Sequence, residues 1–148
     1  MSNYQRTADW LKACGKEPSA ENLSLQIGCD LEETAELLRC LRVSKEGWAR
    51  LVERLVIDLE SLGNELKRNR LTAHFPNHLR EDVLDALCDR EVTGNGVAYL
   101  AGFDKPGADS AVLASNEAKL VDGKPVILEG GKIGKPEGWK PPDLKPFV

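Results

Sequence analysis

Leu31-Glu32-Glu33-Thr34-Ala35-Glu36-Leu37-Leu38 is the stretch whose periodicity decides the fold. An α-helix turns about 100° per residue, so Leu31, Ala35 and Leu38 share one arc while Glu32, Glu33 and Glu36 share another of roughly 100°. Upstream, Leu23 and Ile27 continue the apolar stripe at three- and four-residue spacing, which predicts a helix from about Glu21 to Arg42. The run Glu81-Asp82-Val83-Leu84-Asp85-Ala86-Leu87-Cys88-Asp89 repeats the pattern, with Asp82, Asp85 and Asp89 inside about 60° of arc. Surface helices usually mix carboxylates with Lys or Arg one turn away, and these two runs do not. Two readings stand side by side. Each stripe is a solvated face, Asp near a helix start also suiting the macrodipole. Alternatively the stripes face one another around a cation, since carboxylate oxygens with room for water suit Mg²⁺ or Mn²⁺.

Outward from these runs, the rest of the chain also reads as helical. A short helix is predicted from about Tyr4 to Cys14, anchored by Trp10 and Leu11 and stopped by Gly15. Pro18 breaks the connector, and Ser19 or Asn22 can cap the following helix. Gly28 interrupts that helix at some cost, which a close approach by a neighbouring helix would explain. A third helix is predicted from about Lys45 to Lys67 with Trp48, Leu51, Leu55, Leu59 and Leu62 as its apolar face. Its end carries a basic cluster, Lys67-Arg68-Asn69-Arg70, either a solvated end favoured by the dipole or a phosphate contact. A fourth helix runs from about Leu79 to Leu100, where Gly94-Asn95-Gly96 would mark a kink or a tight contact. Gly102 to Gly107 reads as a turn and Asp109 to Lys119 as a short fifth helix. The expected class is therefore all-α, four to five helices over residues 1–119. Residues 120–148 form an extended Gly/Pro-rich tail with β-like pieces at Pro125–Leu128 and Lys132-Ile133, a hairpin turn at Glu129-Gly130-Gly131, and Trp139 as anchor.

Bulk properties exclude several function classes. At 148 residues the chain can bury a real core, and its 41% hydrophobic and 30% charged content is that of a soluble globular protein. A net charge of −4 argues against nucleic acid as partner. No apolar run has membrane-spanning length, and Met1–Arg6 leads into no apolar leader core, so a cytoplasmic location is expected. Cys14, Cys29, Cys40 and Cys88 are scattered without metal spacing. The last three are expected as small buried packing residues. No Ser-His-Asp or Cys-His arrangement and no Walker-type phosphate loop is legible.

Glu32-Glu33-x-x-Glu36 followed by a downstream acidic helix resembles the EExxE…ExxD signature of MazG-like, all-α nucleoside triphosphate pyrophosphohydrolases. Leu25–Glu33 and Asp82–Asp89 look like the small bacterial and phage members. Ser115-Asn116-Glu117-Ala118-Lys119-Leu120 with Asp122-Gly123-Lys124-Pro125 is similar to their SNMSKL…DGKP ending, and Pro141-Pro142-Asp143-Leu144 to their extreme end. The resemblance touches nearly the whole chain. It implies a helical bundle that binds Mg²⁺ between acidic helices, cleaves a nucleoside triphosphate to monophosphate and pyrophosphate, and assembles as a homodimer or homotetramer. By position, Glu33 and Glu36 would be metal ligands. The second motif departs from the pattern, with Asp where the family has Glu. Asp82 and Asp85 keep the spacing, while Asp85 and Asp89 lie one turn apart, so all three stand as ligand candidates. Asn116 and Lys119 match phosphate-contacting residues, and Gln26 is a candidate base contact or simply a polar surface residue.

Such chemistry needs charge neutralisation on the phosphate oxygens and an activated water, with Glu32 or Glu33 as the candidate that orients the water. The rivals are a non-catalytic helical interaction module with acidic faces, and an enzyme fold inactivated by the Glu-to-Asp change.

Overall fold

The computed structural model describes residues 1–128 and 133–148. The expected turn at Glu129-Gly130-Gly131, together with Lys132, lies outside them. The chain is all-α: 66% is helical. Five α-helices are present among the described residues: α1 (Asn3–Ala13), α2 (Ala20–Cys40), α3 (Glu46–Lys67), α4 (Arg80–Ala101) and α5 (Lys105–Glu117). A two-stranded ribbon, β1 (Leu120–Val121) and β2 (Lys124–Pro125), and a 3₁₀ turn at Lys145–Phe147 complete the tail. The fold divides into two compact units, one of residues 18–77 and the other of residues 1–17 with 78–148.

The 18–77 unit is a helical hairpin. Ser19 caps α2 by accepting from the Asn22 amide at 3.0 Å. Helices α2 and α3 run antiparallel and touch backbone to backbone at two glycines. A Cβ on Gly28 would lie 2.7 Å from the Gly63 carbonyl oxygen, and one on Gly63 would lie 2.9 Å from that of Gly28. The helix-propensity cost of both glycines thus has a structural reason, close approach. Ala35, Val56 and Leu66 are buried along the same seam. Ser24, fully buried, donates to the Ala20 carbonyl and accepts from the Ala73 amide at 2.8 Å, which fastens the segment after α3 to α2.

The apolar face of α3 corrects the sequence expectation. Val52, Val56, Leu59, Gly63 and Leu66 line up at four- and three-residue steps and turn toward α2, whereas Trp48, Leu51, Leu55 and Leu62 are exposed. The apolar arc of α3 is wider than the contact with α2 consumes, and periodicity located the arc without saying which edge would be covered.

In the other unit, Ser2 and Gln5 form a capping box at the start of α1. Gly15, at φ 72°, ends α1 with Gly15 N–H donating to Lys12 O and Lys16 N–H to Leu11 O, a Schellman stop. Helix α1 packs on α5, where the Arg6 guanidinium holds the Glu117 carboxylate through both oxygens at 2.8 and 2.9 Å. Helix α5 starts at Lys105, four residues before the expected Asp109. Asp104 accepts from the Gly107 amide as N-cap, and Pro106 sits in the first turn where its missing N–H costs nothing. Phe147 folds back over this start, its carbonyl accepting from the Asp104 amide, and leaves no room for a side chain at Gly107.

Helix α4 runs unbroken through Gly94-Asn95-Gly96. A Cβ at Gly94 or Gly96 would meet nothing within 4 Å, so the tight-contact explanation does not hold among the described residues. Only Ala98 of this helix is buried. Cys40 and Cys88 are exposed, against expectation, and the buried cysteine is Cys14.

In the tail, Asp122 (φ 51°) and Gly123 (φ 74°) turn β1 into β2, the pair of positive φ values that a two-residue hairpin loop demands. Ile127 bridges Ile133, and the Gly134 amide donates to Val126 O, so the expected β-like pieces meet at their described residues. Trp139 anchors the tail on its own chain by donating from Nε1 to the Ser115 carbonyl of α5 at 2.8 Å. No helix of the described residues is long and apolar enough to cross a membrane.

Candidate metal and phosphate site

The acidic residues of α2 crowd together because the helix places them there. Glu33 and Glu36 are separated by one turn, and Asp30 and Glu32 flank them. Glu33 and Glu36 are both exposed. Desolvation beside the α3 seam, then the neighbouring carboxylates of Glu36, Glu32 and Asp30, nevertheless push the Glu33 carboxyl above its ordinary value, with Lys67 of α3 opposing them. Lys67 reaches across the hairpin to Glu32 at 2.7 Å. The Gly28–Gly63 approach delivers that lysine, since its Cγ lies against the same spot. Arg70, from the same basic cluster, pairs with Glu65. Lys67 and Arg70 are thus carboxylate partners within this hairpin.

Gln26 is exposed on α2. Asp82, Asp85 and Asp89 are exposed on α4, which belongs to the other unit. Asp82 lies in the first turn, where the helix dipole favours it. No group of three or more His, Cys, Asp or Glu side chains poised around one point occurs among the described residues. The donor set of α2 nevertheless suits a hard cation: it is all carboxylate, and a divalent ion would relieve the mutual repulsion that raises Glu33. Glu33 and Glu36 are the residues that would hold it. Glu32 is committed to Lys67.

Asn116 and Lys119 do come together. Lys119 Nζ donates to Asn116 Oδ1 at 2.9 Å, just past the C-terminal end of α5. That ammonium also lies 5.4 Å from the Trp139 ring centre and 6.0 Å from that of Trp10. Burial, and secondarily the proximity of Lys135, hold its pKa below the ordinary lysine range. Lys135 sits 4.7 Å over the same Trp139 ring. The sequence reading missed Lys67, Trp10 and Lys135 as members of these clusters. Lys67 meets Glu32 and Trp10 meets Lys119 across many residues of chain, whereas Lys135 lies only four residues before Trp139.

A cleft of about 660 Å³ opens at the other end of α2, lined by Leu38, Leu41, Val43, Val52, Val56 and Ile57 among others. It includes none of the predicted site residues. On its rim Arg39 pairs with Glu60, and Arg42 donates to the Arg39 and Leu41 carbonyls that end α2.

No protein-family model matches the chain, and no curated protein or solved structure matches it.

Proposed function

We propose that the chain is a Mg²⁺-dependent pyrophosphohydrolase that converts a nucleoside triphosphate to its monophosphate and pyrophosphate, as its resemblance to the MazG-like enzymes implies. The observation that carries this reading is the crowded carboxylate set of α2, in which Glu33 is raised by burial and by its acidic neighbours. Glu33 and Glu36 would hold the ion, with Asp82, Asp85 and Asp89 as the candidates for the second motif. Mn²⁺ would serve the same hard-oxygen donors. When bound, the metal neutralises charge on the phosphate oxygens and polarises the attacking water. The water oxygen bonds to phosphorus as the α–β anhydride bond breaks. Pyrophosphate leaves with the electron pair, and the water proton passes to a carboxylate. Glu33 suits that role better than Glu32, which Lys67 holds in an ion pair. Lys119 and Asn116 contact the phosphate chain.

The uncovered apolar residues of α4 (Leu84, Leu87, Val92, Val97 and Leu100) support assembly as a homodimer or homotetramer. They also support the rival, a non-catalytic interaction module, which would use the same surface without chemistry. Four free cysteines fit a cytoplasmic protein. Pyrophosphate release from a panel of NTPs and dNTPs with Mg²⁺, comparing wild type with Glu36→Gln, separates the two. Metal-dependent turnover that vanishes in the variant is expected. Silence on every nucleotide would favour the module.

A further inference from the structure

We propose that Lys135, carried on the tail, joins Lys119 and the indoles of Trp139 and Trp10 in a binding site for phosphate groups. Only the identity of its ligand, a nucleotide polyphosphate, rests on the function proposed above.

Two lysines of the chain take carboxylates, Lys67 with Glu32 and Lys105 with Asp109, each at 2.7 Å. Among the described residues, Lys119 and Lys135 have no carboxylate partner. Glu117, two positions before Lys119, has both oxygens on Arg6. Glu137, two positions after Lys135, is exposed and pairs with neither. Two ammonium groups are instead gathered around one indole ring, at 5.4 and 4.7 Å from its centre. A ring face offers a cation less than a carboxylate does, so both retain strong demand for an anion.

The donors there exceed the acceptors. Lys119 spends one N–H on Asn116 Oδ1, leaving others of its ammonium to give. Trp10 Nε1 is shielded from solvent and has no acceptor among the described residues. A buried indole N–H without a partner is uncommon, and here it belongs to the ring that faces Lys119. A phosphate group answers this inventory, since it brings several strong acceptor oxygens and negative charge to two cations. Neighbouring indole faces also suit a nucleobase.

The chain builds the cluster deliberately. The Trp139 Nε1 bond to Ser115 O and the Ser115 hydroxyl bond to Lys140 O hold the tail against α5. Without that docking Lys135 would not lie near Lys119. Lys135 is exposed, so its removal leaves the fold intact.

The test uses tryptophan fluorescence. Of the three tryptophans, Trp48 is on α3, so Trp48→Phe leaves Trp10 and Trp139 as the reporters. This protein is titrated with sodium pyrophosphate and, separately, with ATP, each in EDTA so that no metal contributes. Saturable changes with both probes are expected, weakened on the order of tenfold by Lys135→Ala. Tighter binding of ATP than of pyrophosphate would identify a nucleotide, and equal binding a free phosphate anion. No saturable change at millimolar probe, or equal affinity in Lys135→Ala, would overturn the site. Normal pyrophosphohydrolase turnover in Lys135→Ala with unchanged affinity would discard this site and keep the enzyme. Lys135-dependent binding without turnover on any nucleotide would do the reverse.

Discussion

Helices α2 and α4 are nearly equal in length, 21 and 22 residues, and each carries an acidic stripe bordered by apolar residues. Their surroundings differ. Helix α2 packs against α3, buries Ser24, Gly28 and Ala35, and has the Glu33 carboxyl raised by desolvation and by its acidic neighbours while Lys67 pairs with Glu32. Helix α4 buries only Ala98 and leaves both its aspartates and its leucines exposed. One sequence pattern therefore yields two physical situations. The α2 stripe borders a packed seam that brings Lys67 to Glu32, while Glu33 and Glu36 stay exposed. The α4 stripe is exposed together with the leucines beside it.

Glycine substitutions break this comparison most sharply. Gly28→Ala puts a methyl against the Gly63 carbonyl and should lower the unfolding free energy by about 3 kcal/mol, seen as an earlier urea midpoint. Ser24→Ala in the same hairpin strips the Ala73 amide of its buried acceptor and should cost about 2 kcal/mol in the same assay. In α4 the sign reverses. Gly94→Ala and Gly96→Ala enter open space and should each add about 0.5–1 kcal/mol through helix propensity alone.

The smallest effect concerns Glu33. Its carboxyl is raised above 4.5, so the folded chain holds a proton that the unfolded chain releases. That contribution to stability is complete below pH 4.5 and is lost as pH rises through the raised value. Glu33→Gln should melt slightly higher than wild type at pH 7, and the two curves should converge as pH falls toward 4.5. Equal melting at both pH values would show that the α2 carboxylates are as relaxed as a solvated face.

Much of this was legible in the residues. All five helices of the described residues were expected, the second and third from apolar spacing, and Gly28 correctly signalled a close helix approach. Identical reasoning failed at Gly94 and Gly96, because a helical glycine says only that no side chain is required. Of the apolar face expected for α3, Leu59 turns toward α2 while Trp48, Leu51, Leu55 and Leu62 are exposed, because periodicity cannot choose which part of a wide arc meets a partner. The start of α5 was missed although Asp104 and Pro106 announce it, as was the Asp122-Gly123 turn. In both places the local chemistry was sufficient. The candidate site was legible in part. Glu33 and Glu36 lie on one helix and Asn116 and Lys119 nearly so, within reach of short-range spacing. Lys67 reaches Glu32, and Trp10 and Lys135 come near Lys119, only through tertiary packing.

Thermal unfolding with and without Mg²⁺, for wild type and Glu36→Gln in parallel, tests most directly whether the α2 carboxylates are a cation site. Mg²⁺ should raise the wild-type melting temperature, because an ion that binds only the folded state stabilises it, and the rise should disappear in Glu36→Gln. An unchanged wild-type melting temperature, or an equal rise in both proteins, would contradict it.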